Sequence, residues 1–418
     1  MRASYYSEAY SSRGCQNRNP YNLAEHPGGS SFGSASSLAA NMCAFSIGTE
    51  TDGSVMFPAD RNAVVGIKPT VGLTSTLGVI TEAPSMDAVG TFGRSAEDAT
   101  IILDIIADKS SVPETQEDAF ESSIDQRNTT KAYTSWLAKK DALRGAKFGL
   151  PSRRVWEAAS KSAKHKSEYI ALKKLTKQIE RAGAQVLDVD FPSAEEIISP
   201  NGWDWEYGAG ESGSKLSEFE VVNVEFCRSL PNYLGTLEDN KEGILSLEGL
   251  VAYNVRHTDK EGGVPGTHPA WPTGQDNFDR CIESKDCDDA VYSKALEYIL
   301  RKSREGIDAA MIYGEGKSDG LLVPLQAEGS VACSVAAKAG YPMITIPVGA
   351  NDIGVPFGMG IIQRAWKENL LVRYGSAIED LIRHRHRPTF LNFDVDNYIY
   401  VGNPPKKAAK SQNEVSLD

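Results

Sequence analysis

No stretch of this 418-residue chain is apolar for the roughly 18–20 residues that a membrane-spanning helix needs. The N-terminus also lacks the short apolar core of a secretory signal, so a soluble, cytoplasmic protein is expected. Basic residues do not dominate. Lys and Arg number 44 against 56 Asp and Glu, and the net charge of −12 argues against nucleic acid as a partner, because phosphate binding needs a basic surface. Six cysteines in a chain this long are too sparse for a disulfide framework. Cys281 and Cys287 stand close enough to pair, but reduced thiols are expected. No internal repeat is visible. The one His-x-His pair, His384 and His386, stands among Arg383, Arg385 and Arg387, whose charge opposes a dication; it reads as a solvated helix end. Neither a metal nor a cofactor is expected. A glycine-rich loop at Gly28–Ser34 lacks the Gly-Lys-Ser/Thr that completes a phosphate-binding loop. Asn128-Thr129-Thr130, with no secretory context, reads as a loop.

What the chain does have is a concentration of glycine and hydroxyl residues between Gly28 and Ser54. It runs Gly28-Gly29-Ser30-Ser31-Phe32-Gly33-Ser34, then an apolar segment, then Gly48-Thr49-Glu50-Thr51-Asp52-Gly53-Ser54. The segment between, Ser34 to Phe45, is rich in Ala, Leu and Met and reads as a buried helix. Two such loops joined by a short helix can bring two hydroxyls to one point. Glycines permit positive φ and leave N–H groups free to face a ligand. Buried hydroxyls cost stability unless they bond, so the cluster is either helix-capping structure or chemistry.

These motifs resemble the amidase signature family. Gly-Gly-Ser-Ser, a helix, then Gly-Thr-Glu-Thr-Asp-Gly-Ser with Pro58-Ala59 carry the likeness, together with Val64-Val65-Gly66-Ile67-Lys68-Pro69-Thr70-Val71-Gly72-Leu73. It resumes at Gly340-Tyr341-Pro342-Met343-Ile344-Thr345-Ile346-Pro347-Val348-Gly349 and at Pro356-Phe357-Gly358-Met359-Gly360-Ile361-Ile362-Gln363. Arg18-Asn19-Pro20-Tyr21 and the Thr-Glu-Thr-Asp-Gly-Ser form are similar to the fungal and bacterial peptide-amidase-like branch. The likeness spans about residues 10–110 and 320–380.

The resemblance implies an α/β fold with a mixed central sheet and helices on both faces. It also implies hydrolysis of a carboxamide C–N bond in a small-molecule or peptide substrate, through a Ser–cis-Ser–Lys relay and an acyl-enzyme. Ser54 would be the nucleophile and Ser30 the bridging cis-Ser. The backbone N–H groups of Thr51, Asp52, Gly53 and Ser54 would form the oxyanion hole. Ser31 would bond the relay at the substrate. The Gly29–Ser30 peptide would be cis, with the Ser30 and Ser54 hydroxyls in hydrogen-bonding reach. A hydroxyl needs a base to become a nucleophile, and a relay through a second hydroxyl supplies one.

The chain departs from the pattern at that base. The family's lysine stands in a Lys-Asp-Asn-like strand end farther upstream of Ser30 than this chain extends. The cationic residues before Ser30 are Arg2, Arg13 and Arg18, and arginine does not act as a base near neutral pH. His26 and Lys68 are the alternatives in the neighbourhood; Lys68 matches the family's structural Lys-Pro-Thr. Phe32 stands where glycine is usual, Met56 where arginine is frequent, and Glu50 replaces Asp. The expectation is a domain over residues 1–403 lacking its N-terminal part, with the catalytic Lys upstream. The alternative is a catalytically inactive amidase-like remnant or a non-catalytic binding module.

Elsewhere, Ser95 followed by Asp98 opens a helix that continues to Ala107. Residues 109–130 read as a surface loop. Lys147–Pro151, a helix carrying Ile170, Leu172, Leu175 and Ile179, and an alternating strand through Leu187 and Val189 form a βαβ-like unit. Residues 200–290 read as an irregular insertion over one face. Asp319–Leu325 and Met343–Val348 read as strands, Val331–Ala339 and Ala365–Ile382 as helices, and 404–418 as a disordered tail.

Overall fold

A computed structural model describes residues 1–108, 110, 131–209, 216–261, 263, 267–313, 316–325, 331–383, 385–391 and 399. Most of 109–130, His384 and the tail 404–418 therefore lie outside the described residues.

Eight strands form one mixed sheet: β1 (Ser46–Glu50), β2 (Val65–Lys68), β3 (Ala88–Gly93), β4 (Lys147–Pro151), β5 (Gln185–Val189), β6 (Leu321–Pro324), β7 (Met343–Ala350) and β8 (Pro356–Ile362). Their spatial order is β1-β3-β2-β7-β8-β6-β4-β5. The pairs from β1 through β6 are antiparallel, whereas β6–β4 and β4–β5 are parallel. A parallel neighbour needs a crossover, and here it is the helix Lys166–Arg181, closed by Gly183 at φ +103°. The βαβ unit read from the sequence is thus present.

Period-two geometry shows how the sheet is covered. Thr345 on β7 and its partner Gly66 on β2 share a face with Ala59 and Met56 of the helix α1 (Met56–Arg61). Ile344 and Ile346, one residue out of step, meet Gly375 of α2 (Glu368–Ile382) on the opposite face. The run Met-Ile-Thr-Ile-Pro is buried throughout, as a strand covered on both sides requires.

Two expectations need correction. The helix after the first Gly/Ser loop is Phe32–Ala39, not Ser34–Phe45: Asn41 takes φ +61° and turns the chain out, leaving Met42 and Phe45 exposed. Phe32 is the first residue of this helix. The insertion is helical rather than irregular, with Glu218–Gly235, Leu247–Arg256 and Asp276–Glu283 packing Phe226, Leu230, Leu247, Phe278 and Cys281 into a core of their own. The first residues hold a two-residue antiparallel pair, Tyr10–Ser11 with Cys15–Gln16, and Ala3, Ser7, Glu8 and Ala9 are buried.

All six cysteines are free thiols. Among the described residues no helix is long and apolar enough to cross a membrane, and no group of three His, Cys, Asp or Glu is arranged to hold a metal.

Candidate active site

The two Gly/Ser loops meet at the end of β1. Ser31 N–H donates to the Ser54 carbonyl at 3.1 Å, which ties the first loop directly to the second. The Ser31 hydroxyl accepts from Thr49 N–H at 3.1 Å and lies 3.0 Å from the Thr49 carbonyl, fastening the same loop to β1. Gly28, at φ +78°, could carry no side chain, because a Cβ would sit 2.9 Å from Pro58 Cα. The Gly29–Ser30 bond is cis. Ser30 and Ser54 line one small cleft with Thr49, Thr51, Thr76, Val79, Ile80, Glu82 and Asp87.

The Ser30 and Ser54 hydroxyls are not hydrogen-bonded to each other; both are presented to the open cleft. The loops are instead joined by the Ser31 N–H bond to the Ser54 carbonyl. Thr51, Asp52, Gly53 and Ser54 lie between β1 and α1, and among the described residues their N–H groups enter none of the turn or loop hydrogen bonds. Gly53 is at φ +80°, a conformation that favours glycine.

Four carboxylates surround these loops, and each has a structural task. Glu50 Oε2 accepts from Val55 and Met56 N–H at 2.7 and 2.9 Å, capping α1 immediately after Ser54. Burial pushes its carboxyl up, against the pull of Lys68 and the two N–H bonds. Asp87 accepts from Thr51 Oγ1 at 2.6 Å and from the N–H groups of Glu82 and Ala83; burial raises its carboxyl to about 6. Glu8 packs on Gly29 so closely that a Cβ there would lie 2.0 Å from Glu8 Oε1. Burial lifts the Glu8 carboxyl to about 7, outweighing Arg61 and the bonds from Tyr6 and Ala9. Asp52 receives the indole N–H of Trp203.

The two alternative bases in the neighbourhood are otherwise engaged. His26 accepts from Gly28 N–H at 3.2 Å through Nδ1, and burial and Arg61 keep the ring well below its usual range. Lys68 is fully buried and donates to the carbonyls of Pro69 and Tyr341 at 3.1 and 2.9 Å. Beside it Thr70 N–H donates to Glu368 at 2.7 Å, so Lys-Pro-Thr joins β2 to α2. Met56 is fully buried against Gly66, taking up space beneath the loop that a guanidinium would have to desolvate to occupy.

A larger concavity lies elsewhere, between Lys166–Arg181 and α2, lined by Lys140, Arg144, Lys174 and Arg181 above Leu175 and Ile382. It has no hydroxyl in its lining, so the smaller cleft is the candidate site.

The amidase family pattern matches residues 2–225, more than half of the chain, and spans every residue of this cleft. The chain belongs to the amidase family. It is 42% identical over 407 residues to an amidase-named protein of Schizosaccharomyces pombe; the match takes in 95% of this chain and 66% of that one. It is 32% identical over 385 residues to an amidase-named protein of Arabidopsis thaliana, across 92% of this chain and 66% of that protein. The fold superposes on the peptide amidase of Stenotrophomonas maltophilia with a TM-score of 0.73 and 31% identity, covering 93% of this chain and 72% of that one. The chain thus spans about two thirds of the length of these amidase relatives.

Glu8 and Asp87 were missed by sequence reasoning, and Trp203 stood there only as part of the insertion over one face. Asp87 carried a signal, as an acid just ahead of the apolar strand β3; Glu8 and Trp203 reach the site from distant parts of the chain.

Proposed function

We propose that this amidase-family chain carries the machinery of a hydrolase for a carboxamide C–N bond, with Ser54 as nucleophile and Ser30 as the bridging hydroxyl. The observation that carries the reading is the Ser31 N–H bond to the Ser54 carbonyl, which joins the two Gly/Ser loops so that both hydroxyls open on one cleft. Ser54 attacks the amide carbonyl, passing its proton toward Ser30. The N–H groups of Thr51, Asp52, Gly53 and Ser54 receive the developing oxyanion. Each such donor contributes about 2.7–4 kcal/mol to lowering the barrier. The C–N bond breaks as the leaving amine or ammonia takes up a proton, and water then releases the acyl group from Ser54. Ser31 holds the Ser30 loop at the acyl side.

A relay needs a terminal base, and the resemblance assigns it to a lysine. The residues lining the cleft include none, and the lysine nearest in sequence, Lys68, is bonded elsewhere. The solved peptide amidase binds the competitive inhibitor chymostatin, which supports a small-molecule or peptide amide as the substrate class. No nucleic-acid, membrane or cofactor role enters this reading.

The test is labelling by a fluorophosphonate probe, followed by peptide mapping and by ammonia release from amidated peptides. Covalent label on Ser54, lost in Ser54→Ala and strongly reduced in Ser30→Ala, is expected. Label retained in Ser54→Ala would show that another residue is the nucleophile.

A further inference from the structure

A buried ion pair lies beside the Ser54 loop. Glu218, at the start of the helix Glu218–Gly235, is 1% exposed and lies 3.3 Å from the ammonium of Lys338, itself 3% exposed on the helix Val331–Ala339. The Glu218 carboxyl also faces the carboxylate of Asp52, two residues before Ser54. Asp52 receives the Trp203 indole N–H as well. Ser334 Oγ approaches Glu218 Oε2 at 3.5 Å, and Lys338 Nζ reaches the Ile197 carbonyl at 3.4 Å. Cys333, on the same helix, packs under Gly53, where a Cβ would lie 3.6 Å from its own.

Burial of Glu218, with the Asp52 carboxylate facing it, disfavours the charged form of Glu218. Burial and the facing Asp52 push the Glu218 carboxyl well above its usual range, against the pull of Lys338. A protonated carboxyl can donate where a carboxylate cannot. Its donor strength is then spent on Asp52, and the loop that follows is fixed from both sides, by Trp203 and by Glu218.

We propose that Glu218 is the positioning residue of the Ser54 loop: it donates a hydrogen bond to Asp52, with Lys338 as counter-charge and Trp203 closing the other side, and so holds the N–H groups of residues 51–54 in their working arrangement. This rests on the reading of that loop as the oxyanion site. The charged groups facing Glu218 are Asp52 from the loop and Lys338 from Val331–Ala339. The same bonds couple the region carrying Trp203 to the rim of the cleft. A misplacement of about 1 Å in such a loop can cost on the order of a hundredfold in rate.

The experiment compares Glu218→Gln with Glu218→Ala in the full chain. The glutamine amide still donates to Asp52 but cannot lose a proton; alanine removes the donor and leaves Lys338 facing Asp52. Fluorophosphonate labelling of Ser54 is followed between pH 6 and 10, with thermal unfolding as the control for folding. Labelling of the wild type should fall where Glu218 loses its proton, above the usual carboxylate range. In Glu218→Gln that fall should vanish while the rate near neutrality stays within about threefold. In Glu218→Ala the rate should drop at least about tenfold at every pH. A Gln variant with the wild-type pH profile, or an Ala variant labelled at the wild-type rate, overturns the proposal. A wild type that takes no label at Ser54 overturns the hydrolase reading instead. The coupling is then read from the emission difference between each protein and its Trp203→Phe version. That signal should shift in Glu218→Ala and hold in Glu218→Gln; an unshifted signal in Glu218→Ala overturns the coupling by itself.

Discussion

Glu8 offers a direct test of how the N-terminal segment is bound to the candidate site. Its carboxyl is buried against Gly29, and its contacts are the Tyr6 hydroxyl, the Ala9 N–H and the field of Arg61. They do not offset the loss of water, and the carboxyl titrates near 7 in the folded protein instead of at 4.5. The folded state thus holds a proton on Glu8 that the unfolded chain releases. The stabilisation is fully present below pH 4.5 and disappears as pH rises through about 7. A displacement from 4.5 to about 7 corresponds to roughly 3 kcal/mol, of which about 2–3 kcal/mol falls between pH 5 and pH 8. Glu8→Gln keeps the shape and the uncharged state at every pH. Urea unfolding of wild type and variant at both pH values should show the variant gaining about 2–3 kcal/mol on the wild type from pH 5 to pH 8. Parallel stabilities at the two pH values would refute the reasoning and mean that the Glu8 carboxyl is solvated.

Thr51→Val removes the donor that holds Asp87 at 2.6 Å and should cost about 1.5–3 kcal/mol at pH 8. Because the Asp87 carboxyl titrates near 6, the cost should shrink at pH 5, where it is protonated and accepts more weakly; unfolding at the two pH values decides it. Gly28→Ala puts a Cβ 2.9 Å from Pro58 Cα at φ +78°, so it should destabilise by about 1–3 kcal/mol and depress Ser54 labelling, both measurable on one preparation. Since no lysine lines the cleft, methylamine added to the 418-residue protein should accelerate ammonia release from amidated peptides by supplying a terminal base. General bases typically contribute about 10²–10⁴-fold. No acceleration, with Ser54-dependent turnover already fast, would place the base inside the chain.

Legibility followed the range of the forces involved. The helix opening at Ser95 was readable because its cap is local: the Ser95 hydroxyl accepts from Asp98 N–H at 3.1 Å within one turn. The Lys147–Val189 unit was readable because period and glycine punctuation are written along the chain. The helix Glu218–Gly235 was not, since it buries ten residues on several faces and carries Pro231 inside, which erases the single apolar stripe that marks an amphipathic helix.

By itself the sequence determined the α/β alternation, the two Gly/Ser loops and which serines stand in them, because those follow from residue types a few positions apart. The tertiary structure alone decided what surrounds them. Glu8 reaches Gly29 from 21 positions upstream, Asp87 reaches Thr51 from 36 downstream, and Glu218 and Lys338 meet beneath Asp52 from elements separated by more than a hundred residues. Burial raises the Glu8, Asp87 and Glu218 carboxyls, and burial is a property of the packed chain that no local pattern records.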